Sequence, residues 1–268
     1  MTEQRRAEGW QSIATMFAAA KSEGRAAFLP YYPIGYPTYA ASLDAVAAMA
    51  EAGADGFEIG VPFSDPLADG PTIQAATQVA LENGMTVRRC LDAVHDLRVR
   101  GIRQPMLMMS YLNPLLAYGP EAFVRDAAAV GADGLIVPDL PPEEAAVFAD
   151  ACAVNGLALV FFLAPTSSDR RIRLVGERTT GFIYMVSVTG VTGERSDLPP
   201  DLAEFINRVR AQTDKPLVLG FGISTPAHVR MVSPLTDGFI VGSAIVRAAA
   251  DGVEAVRALV TELRRALD

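Results

Sequence analysis

The 268-residue chain is poor in the residues that metal sites and covalent crosslinks use. It has two cysteines, Cys90 and Cys152, and two histidines, His95 and His228. Each cysteine lies in a stretch with helical spacing, so we expect packed thiols in a reducing compartment rather than a disulfide. Two scattered histidines are too few for a His-rich metal site. The composition therefore predicts chemistry that needs no metal held by this chain.

Long apolar runs and an excess of basic residues are also missing. No run approaches the ~20 apolar residues that a membrane span requires. The first ten residues, MTEQRRAEGW, lack the apolar core of a secretory signal. A formal net charge of -8 argues against a broad phosphate-binding face for nucleic acid. We expect a cytoplasmic protein with neither a membrane nor a nucleic-acid partner.

One sequence segment recurs along the chain in similar form. AGADGFEIGVP at 52–62 is echoed by VGADGLIVPDLP at 130–141, and more faintly at 179–190 and 235–245. In each copy a helical stretch ends in a glycine-containing turn, and a short apolar run follows. Helix-turn-strand units of this kind indicate parallel strands covered on both faces.

Counting the apolar runs gives eight strands separated by segments with helical spacing. The predicted strands are 26–32, 55–61, 105–111, 133–137, 157–163, 180–186, 215–220 and 237–241. The predicted helices are 38–52, 71–82, 86–100, 120–130, 141–154, 168–177, 199–212, 225–232 and 253–267. Helix caps are expected at Ser168 or Asp169 and at Thr225-Pro226.

Eight strand-helix units in about 250 residues match a closed (β/α)8 barrel, or TIM barrel, of the α/β class. A further helix over 8–22 precedes the first strand. No linker or change of composition divides the chain, so we expect a single domain over 1–268. The alternative, an open doubly wound sheet, would show a glycine-rich fingerprint after its first strand, and YPIGYP is not one.

The barrel topology distinguishes catalytic from structural candidates, because the active sites of such barrels lie at the carboxyl ends of the strands. Asp55, Asp133 and Asp237 begin strands, so a structural role is expected for them. Lys215 also begins a strand, which argues against imine chemistry there.

Glu58 lies between apolar neighbours within its strand and is predicted to point into the barrel mouth. Burial would raise its pKa into a range useful for acid/base catalysis; the alternative is a structural ion pair with an arginine.

Glycine-rich segments follow three consecutive strands. They are GVTG at 190–193, GFGIS at 220–224 and GSAI at 242–245, the last opening a short helical stretch. Barrels commonly bind phosphate between the last two loops through backbone N–H groups. Tyr111 and Tyr184, late in their strands, could add hydroxyl groups to the mouth. The residues alone thus predict an enzyme that acts on a small phosphorylated molecule by carboxylate chemistry.

The segment FEIGVPFSDPLADGPTIQ resembles the signature of the tryptophan synthase alpha chain family. Further similar segments are SYLNPLLAYG, GLIVPDLPPEE, YMVSVTGVTG, GFGIS and DGFIVGSAIV, in the family's order along nearly the whole chain. The resemblance implies retro-aldol cleavage of indole-3-glycerol phosphate to indole and glyceraldehyde 3-phosphate, a lyase step of tryptophan biosynthesis.

By the same resemblance, Glu58 matches the general acid/base and Asp69 the carboxylate that binds the indole N–H. Without the resemblance, Asp69 and Asp65 would be read as turn formers. Tyr184 matches an active-site tyrosine. The expected phosphate-binding backbone positions are Gly193, Gly222, Gly242 and Ser243.

The resemblance also implies a beta-chain partner that carries pyridoxal phosphate, in an α2β2 complex, with no cofactor in this chain. The loops 63–70, which carries Asp65, and 187–198 are expected to be mobile, the first touching the beta chain and the second closing over substrate. Two residues depart from the family pattern. Tyr36 stands where an acidic residue is usual, and Phe57 where an aliphatic one is usual.

Three other functions stay open at this point. The chain could be a stand-alone lyase that releases free indole. It could be a silent barrel that only binds a beta chain, which intact Glu58 and Asp69 argue against. It could also be an isomerase or epimerase of a sugar phosphate, which would not need the SDPLADG segment.

Overall fold

A computed structural model describes residues 9–186, 201–220 and 222–268. Eight parallel strands form a closed barrel in chain order, as predicted. The strands are β1 Ala27–Pro33, β2 Phe57–Gly60, β3 Met106–Met109, β4 Gly134–Ile136, β5 Ala158–Leu163, β6 Ile183–Val186, β7 Leu217–Gly220 and β8 Gly238–Val241. β8 pairs with β1 and closes the barrel, with Ala27 opposite Gly238.

Helices surround the barrel, and the first of them covers its amino-terminal end, where Phe17 packs against Phe182 of the interior. They are α1 Gly9–Ser22, α2 Tyr39–Glu51, α3 Pro71–Glu82, α4 Val87–Val99, α5 Leu112–Tyr118, α6 Pro120–Val130, α7 Ala146–Asn155, α8 Asp169–Arg178, α9 Leu202–Arg210, α10 Pro226–Val232, α11 Ser243–Ala248 and α12 Val253–Arg265, with a 3-10 turn at Ala249–Asp251. The expected N-terminal helix is α1. None of the described helices combines the length and apolar character that crossing a membrane requires.

The helix caps follow from side chains that accept backbone N–H groups. Ser168 accepts from Arg171 at the start of α8, and Thr225 accepts from His228 at the start of α10. Both caps agree with the sequence prediction, with Ser168 rather than Asp169 at the cap. Helix α5 was not predicted. It is only seven residues long and carries Pro114 in its first turn, so its pattern is easily taken for a loop.

The core has two layers, because successive side chains of each strand point alternately to the outside and to the interior of the barrel. One layer lies between strands and helices and includes Phe57 and Ile59. The other fills the barrel interior and includes Leu29, Tyr31 and Leu107. Glu58 is the Cα neighbour of Tyr31 on β1 and of Leu107 on β3, so it shares the interior face. Cys90 and Cys152 are free thiols buried in the outer layer, as predicted.

Asp55, Asp133 and Asp237 have the structural role expected of them at the amino-terminal ends of the strands. The carboxylate of Asp133 accepts the backbone N–H of Met106 and is paired with Arg98. Asp55 accepts the N–H of Phe28, and Asp237 accepts that of Leu217. Each aspartate thus binds a backbone N–H near the start of a neighbouring strand.

Candidate active site

A cavity of about 580 Å³ opens at the carboxyl ends of the strands. Residues from several strands and from the loops after β2, β7 and β8 form its wall. They are Tyr31, Glu58, Asp69, Ile73, Met109, Tyr184, Gly222, Ile223, Ser224, Ile240, Gly242, Ser243 and Ala244. The barrel therefore brings together Glu58, Asp69, Tyr184, Gly222, Gly242 and Ser243, six residues that the sequence analysis selected.

Glu58 lies on β2 with 3 % of its surface exposed. Within the described residues its carboxyl group has no hydrogen bond or ion pair with protein, so the alternative of an arginine partner finds no support there. Burial, and then the charge of Asp69, raise the pKa of Glu58 to about 8. The carboxyl group is consequently protonated near neutral pH and can donate a proton to a bound molecule.

Asp69 reaches the same cavity from the loop between β2 and α3. Burial raises the pKa of Asp69 to about 6, and a hydrogen bond with the Tyr111 hydroxyl opposes that rise. Gln74 holds the loop by donating its side-chain amide to the Asp69 carbonyl oxygen at 2.7 Å. Near neutral pH the two carboxyl groups therefore differ in charge, with Asp69 ionised and Glu58 neutral. A pair with separated pKa values can supply one acid and one anion to the same reaction.

Tyr111 does not line the cavity. β3 ends at Met109, which lines the cavity, and Tyr111, two residues later, directly precedes α5. Its hydroxyl accepts the backbone N–H of Ala68 at 2.9 Å, and its ring packs against that of Phe63, with the ring centroids 5.6 Å apart. Tyr111 therefore holds the Asp69 loop from behind, and the direct substrate contact predicted for it stays a prediction.

Tyr184 lies on β6 and faces the cavity. Its ring stacks on Phe162, with the ring centroids 4.5 Å apart. Burial and the charges of Glu58 and Asp69 hold the pKa of Tyr184 far above its usual range. The phenol therefore stays protonated near neutral pH and can donate a hydrogen bond.

Glycines and small residues form the part of the wall that follows β7 and β8. Gly222 has a φ of +81°, a conformation that L side chains rarely adopt. Gly242 and Ser243 open helix α11, and the first N–H groups of a helix have no acceptor within it. The described lining contains no Lys or Arg, so backbone N–H groups would have to meet the charge of an anion. Gly193 and loop 187–198 lie outside the described residues.

Two polar residues of the cavity wall were not singled out from the sequence. Tyr31 lines the cavity from β1, and the alternation of Ala27, Leu29 and Tyr31 was the signal that could have revealed it. Ser224 lines the cavity as well, and its backbone N–H donates to Nδ1 of buried His228 at 3.3 Å. The contact joins the loop after β7 to the first turn of α10, and the expected cap at Thr225 was the signal that could have revealed it.

The two departures from the family pattern lie away from the cavity wall. Phe57 packs in the outer core layer between strands and helices. Tyr36 packs beside the core, and its carbonyl oxygen accepts a hydrogen bond from the Tyr32 hydroxyl at 3.0 Å. No group of three or more His, Cys, Asp or Glu residues in the described part of the chain is arranged to hold a metal ion.

Comparison with known proteins gives a consistent result. The family model described as tryptophan synthase alpha chain matches residues 17–267. The tryptophan synthase alpha chain of Chloroflexus aggregans is 51 % identical over 234 residues, which cover 87 % of this chain and 88 % of the relative. A tryptophan synthase of Saccharomyces cerevisiae is 42 % identical over 248 residues, which cover 92 % of this chain but 35 % of that longer protein. A solved structure of Mycobacterium tuberculosis tryptophan synthase superimposes with a TM-score of 0.90 at 41 % identity, covering 95 % of this chain and 97 % of that one.

Proposed function

Since the chain belongs to the tryptophan synthase alpha chain family, we propose that it cleaves indole-3-glycerol phosphate to indole and glyceraldehyde 3-phosphate. It is then a carbon-carbon lyase of tryptophan biosynthesis that works in the cytoplasm as a single domain over 1–268. The observation that carries the proposal is one cavity lined both by two buried carboxyl groups, Glu58 and Asp69, and by the glycine-rich segments that follow β7 and β8.

The separated pKa values of the two carboxyl groups suit the two halves of this reaction. Protonated Glu58 gives its proton to the ring carbon that carries the glycerol chain. Ionised Asp69 accepts a hydrogen bond from the indole N–H and stabilises the positive charge that develops on the ring. The resulting Glu58 carboxylate takes the proton of the adjacent glycerol hydroxyl. The carbon-carbon bond then breaks, its electrons restore the aromatic ring, and the hydroxyl carbon becomes an aldehyde.

The cavity lining contains groups that can bind both the indole ring and the phosphate of the substrate. Ile73, Met109 and Ile240 are apolar residues of the lining and can enclose an indole ring. Gly222, Gly242 and Ser243 line the part of the cavity that follows β7 and β8, where their backbone N–H groups can hold the phosphate. Gly193 is a further proposed phosphate contact, and Tyr184 a further substrate contact. Remote phosphate binding of this kind helps to position the reacting carbon atoms.

We propose a tryptophan synthase beta chain as the partner, in an α2β2 complex. In this family pyridoxal phosphate belongs to the beta chain, so the alpha chain needs none. Loop 63–70 is the proposed contact, because Leu67 is 76 % exposed and Asp65 is exposed as well. The similarity to one third of a longer tryptophan synthase supports an association of this kind.

Release of indole from indole-3-glycerol phosphate by the purified chain, with and without a beta chain, tests the proposal. We expect slow cleavage alone and strong activation by the partner. Glu58→Gln should lower cleavage by several orders of magnitude, whereas Glu254→Gln, on the exposed face of α12, should cleave normally. No cleavage in either condition would refute the proposal. Fast cleavage without a partner would favour the second candidate, a stand-alone lyase that releases free indole.

A further inference from the structure

Two successive tyrosines of β1 point to opposite sides of the barrel wall. Tyr31 belongs to the interior layer and lines the cavity. Tyr32 belongs to the outer layer, and its hydroxyl donates to the Tyr36 carbonyl oxygen at 3.0 Å. In the described part of the chain the Tyr31 hydroxyl has no such partner. The strand therefore presents one tyrosine with a satisfied hydroxyl and one whose hydroxyl faces the site.

The Tyr31 hydroxyl occupies the place of a side chain at Gly60. A Cβ atom built on Gly60 would overlap this hydroxyl and would lie 2.7 Å from Cζ of Tyr31. Glu58 and Gly60 are two residues apart on β2, so both face the interior, with roughly 7 Å between them along the strand. The hydroxyl thus stands one layer above Glu58, on the side from which substrate enters.

The same ring also packs against the phosphate side of the cavity. A Cβ atom on Gly242 would lie 3.3 Å from Cδ1 of Tyr31. The ring therefore spans the distance between the proposed phosphate wall and the proposed acid/base. The part of the substrate that must lie across this span is the glycerol chain, which joins phosphate to indole.

The electrostatic surroundings of Tyr31 keep its phenol protonated. Burial raises the pKa of Tyr31 well above its usual value, and the charges of Asp69 and Glu58 raise it further. An ionised phenol beside two carboxyl groups would be strongly disfavoured. Tyr31 can therefore act on a bound molecule as a hydrogen-bond donor and not as a base.

We propose that the Tyr31 hydroxyl donates a hydrogen bond to the oxygen of the glycerol hydroxyl next to the indole ring. This inference rests on the proposed function, because that oxygen is the one whose proton passes to Glu58. As the O–H bond breaks, its electrons form the carbonyl bond while the carbon-carbon bond breaks towards the ring. The hydrogen bond from Tyr31 stabilises the negative charge that develops on this oxygen before the aldehyde is complete.

Replacement of one phenol by a phenyl ring tests the inference with a matched control on the same strand. Tyr31→Phe keeps the ring contacts with Gly60 and Gly242 and removes only the hydroxyl. We expect kcat/KM for indole-3-glycerol phosphate to fall about 10- to 100-fold. This fall is at or below the loss that usually follows removal of one hydrogen-bond donor to a developing oxyanion. Tyr32→Phe should stay within about twofold of the parent chain, and thermal unfolding should show that both variants are folded.

Binding measurements separate a hydroxyl contact from a general effect on the cavity. In a Glu58→Gln background, which does not turn over, adding Tyr31→Phe should weaken the binding of indole-3-glycerol phosphate about 5-fold or more. Binding of indolylpropyl phosphate, which lacks both hydroxyls, should not change. Equal weakening for both ligands, or turnover of Tyr31→Phe within twofold of the parent chain, would overturn the inference. Failure of the parent chain to cleave the substrate would instead refute the proposed function itself.

Discussion

The ring of Tyr184 fills the space that any side chain at Gly220 would need. A Cβ atom on this glycine would overlap both the ring and the hydroxyl of Tyr184. The two residues lie on the adjacent strands β6 and β7, whose ends meet at the barrel mouth. The first glycine of GFGIS therefore makes room for a tyrosine, whereas Gly222, two residues later, adopts the positive φ that the turn requires.

Gly220→Ala should displace Tyr184 from the cavity wall. Overpacking of this kind costs about 1–3 kcal/mol, and we expect kcat/KM to fall about tenfold or more. The control is Gly101→Ala, at a distant helix end with a φ of +91° and open space around it, which should lower the melting temperature without changing kcat/KM. Equal catalytic losses in both variants would show that Tyr184 is not the cause.

The pH dependence of kcat/KM should be bell-shaped. With the pKa of Asp69 near 6 and that of Glu58 near 8, activity needs Asp69 ionised and Glu58 protonated. We expect apparent pKa values of about 6 and about 8 for the pair, measured in the free enzyme from pH 5 to 9. Activity that stays constant from pH 7 to 9 would contradict the assignment of Glu58 as the proton donor.

The raised pKa of Glu58 should also make the protein less stable as pH rises. In the unfolded chain Glu58 releases this proton near its ordinary pKa of 4.5, whereas in the folded protein it holds the proton until about pH 8. Between these values the folded state binds more protons, so the free energy of unfolding falls with increasing pH. Glu58→Gln removes this effect and should melt several degrees above the parent chain at pH 8, at about 2–4 °C per kcal/mol. At pH 4.5 the two melting temperatures should converge, and a constant difference would contradict the burial argument.

His228 should support substrate binding more than the chemical step. Its Nδ1 accepts the N–H of Ser224, a residue of the proposed phosphate wall. His228→Ala should raise KM about 5- to 30-fold with kcat within about threefold, because the loop loses one hydrogen bond that orders it. His228→Asn, which keeps an acceptor, should recover part of the loss. His95→Ala, at an exposed position of α4, is the matched control and should be neutral.

Asp133 should matter for stability and not for catalysis. Its buried carboxylate is paired with Arg98 at the end of the barrel away from the cavity. Asp133→Asn leaves the arginine without its charge partner, at a cost of about 3 kcal/mol or more, so the melting temperature should fall by about 6 °C or more. Asp44→Asn breaks the exposed pair with Arg100 and should cost less than about 1 kcal/mol. Unfolding in urea would measure both.

Much of the architecture follows from local sequence patterns. Eight apolar runs, the caps at Ser168 and Thr225 and the inward position of Glu58 were predictable because each depends on residues close together in the chain. Alternation along a strand sets which side chains face the interior, and a cap involves residues three positions apart. The sequence by itself thus determined the barrel, its carboxylate in the mouth and the glycine-rich loops beside it.

Contacts between distant residues decided what the sequence patterns left open. Ala68 and Tyr111 are 43 positions apart, and their hydrogen bond holds the loop that presents Asp69. The place of Tyr31 beside Gly60 likewise exists only once β1 and β2 pair in their observed register. Loop direction and the fit of a ring against a glycine depend on packing in three dimensions, which the order of residues along one segment does not specify. For this reason the tertiary structure alone placed Tyr111 behind the site and Tyr31 within it.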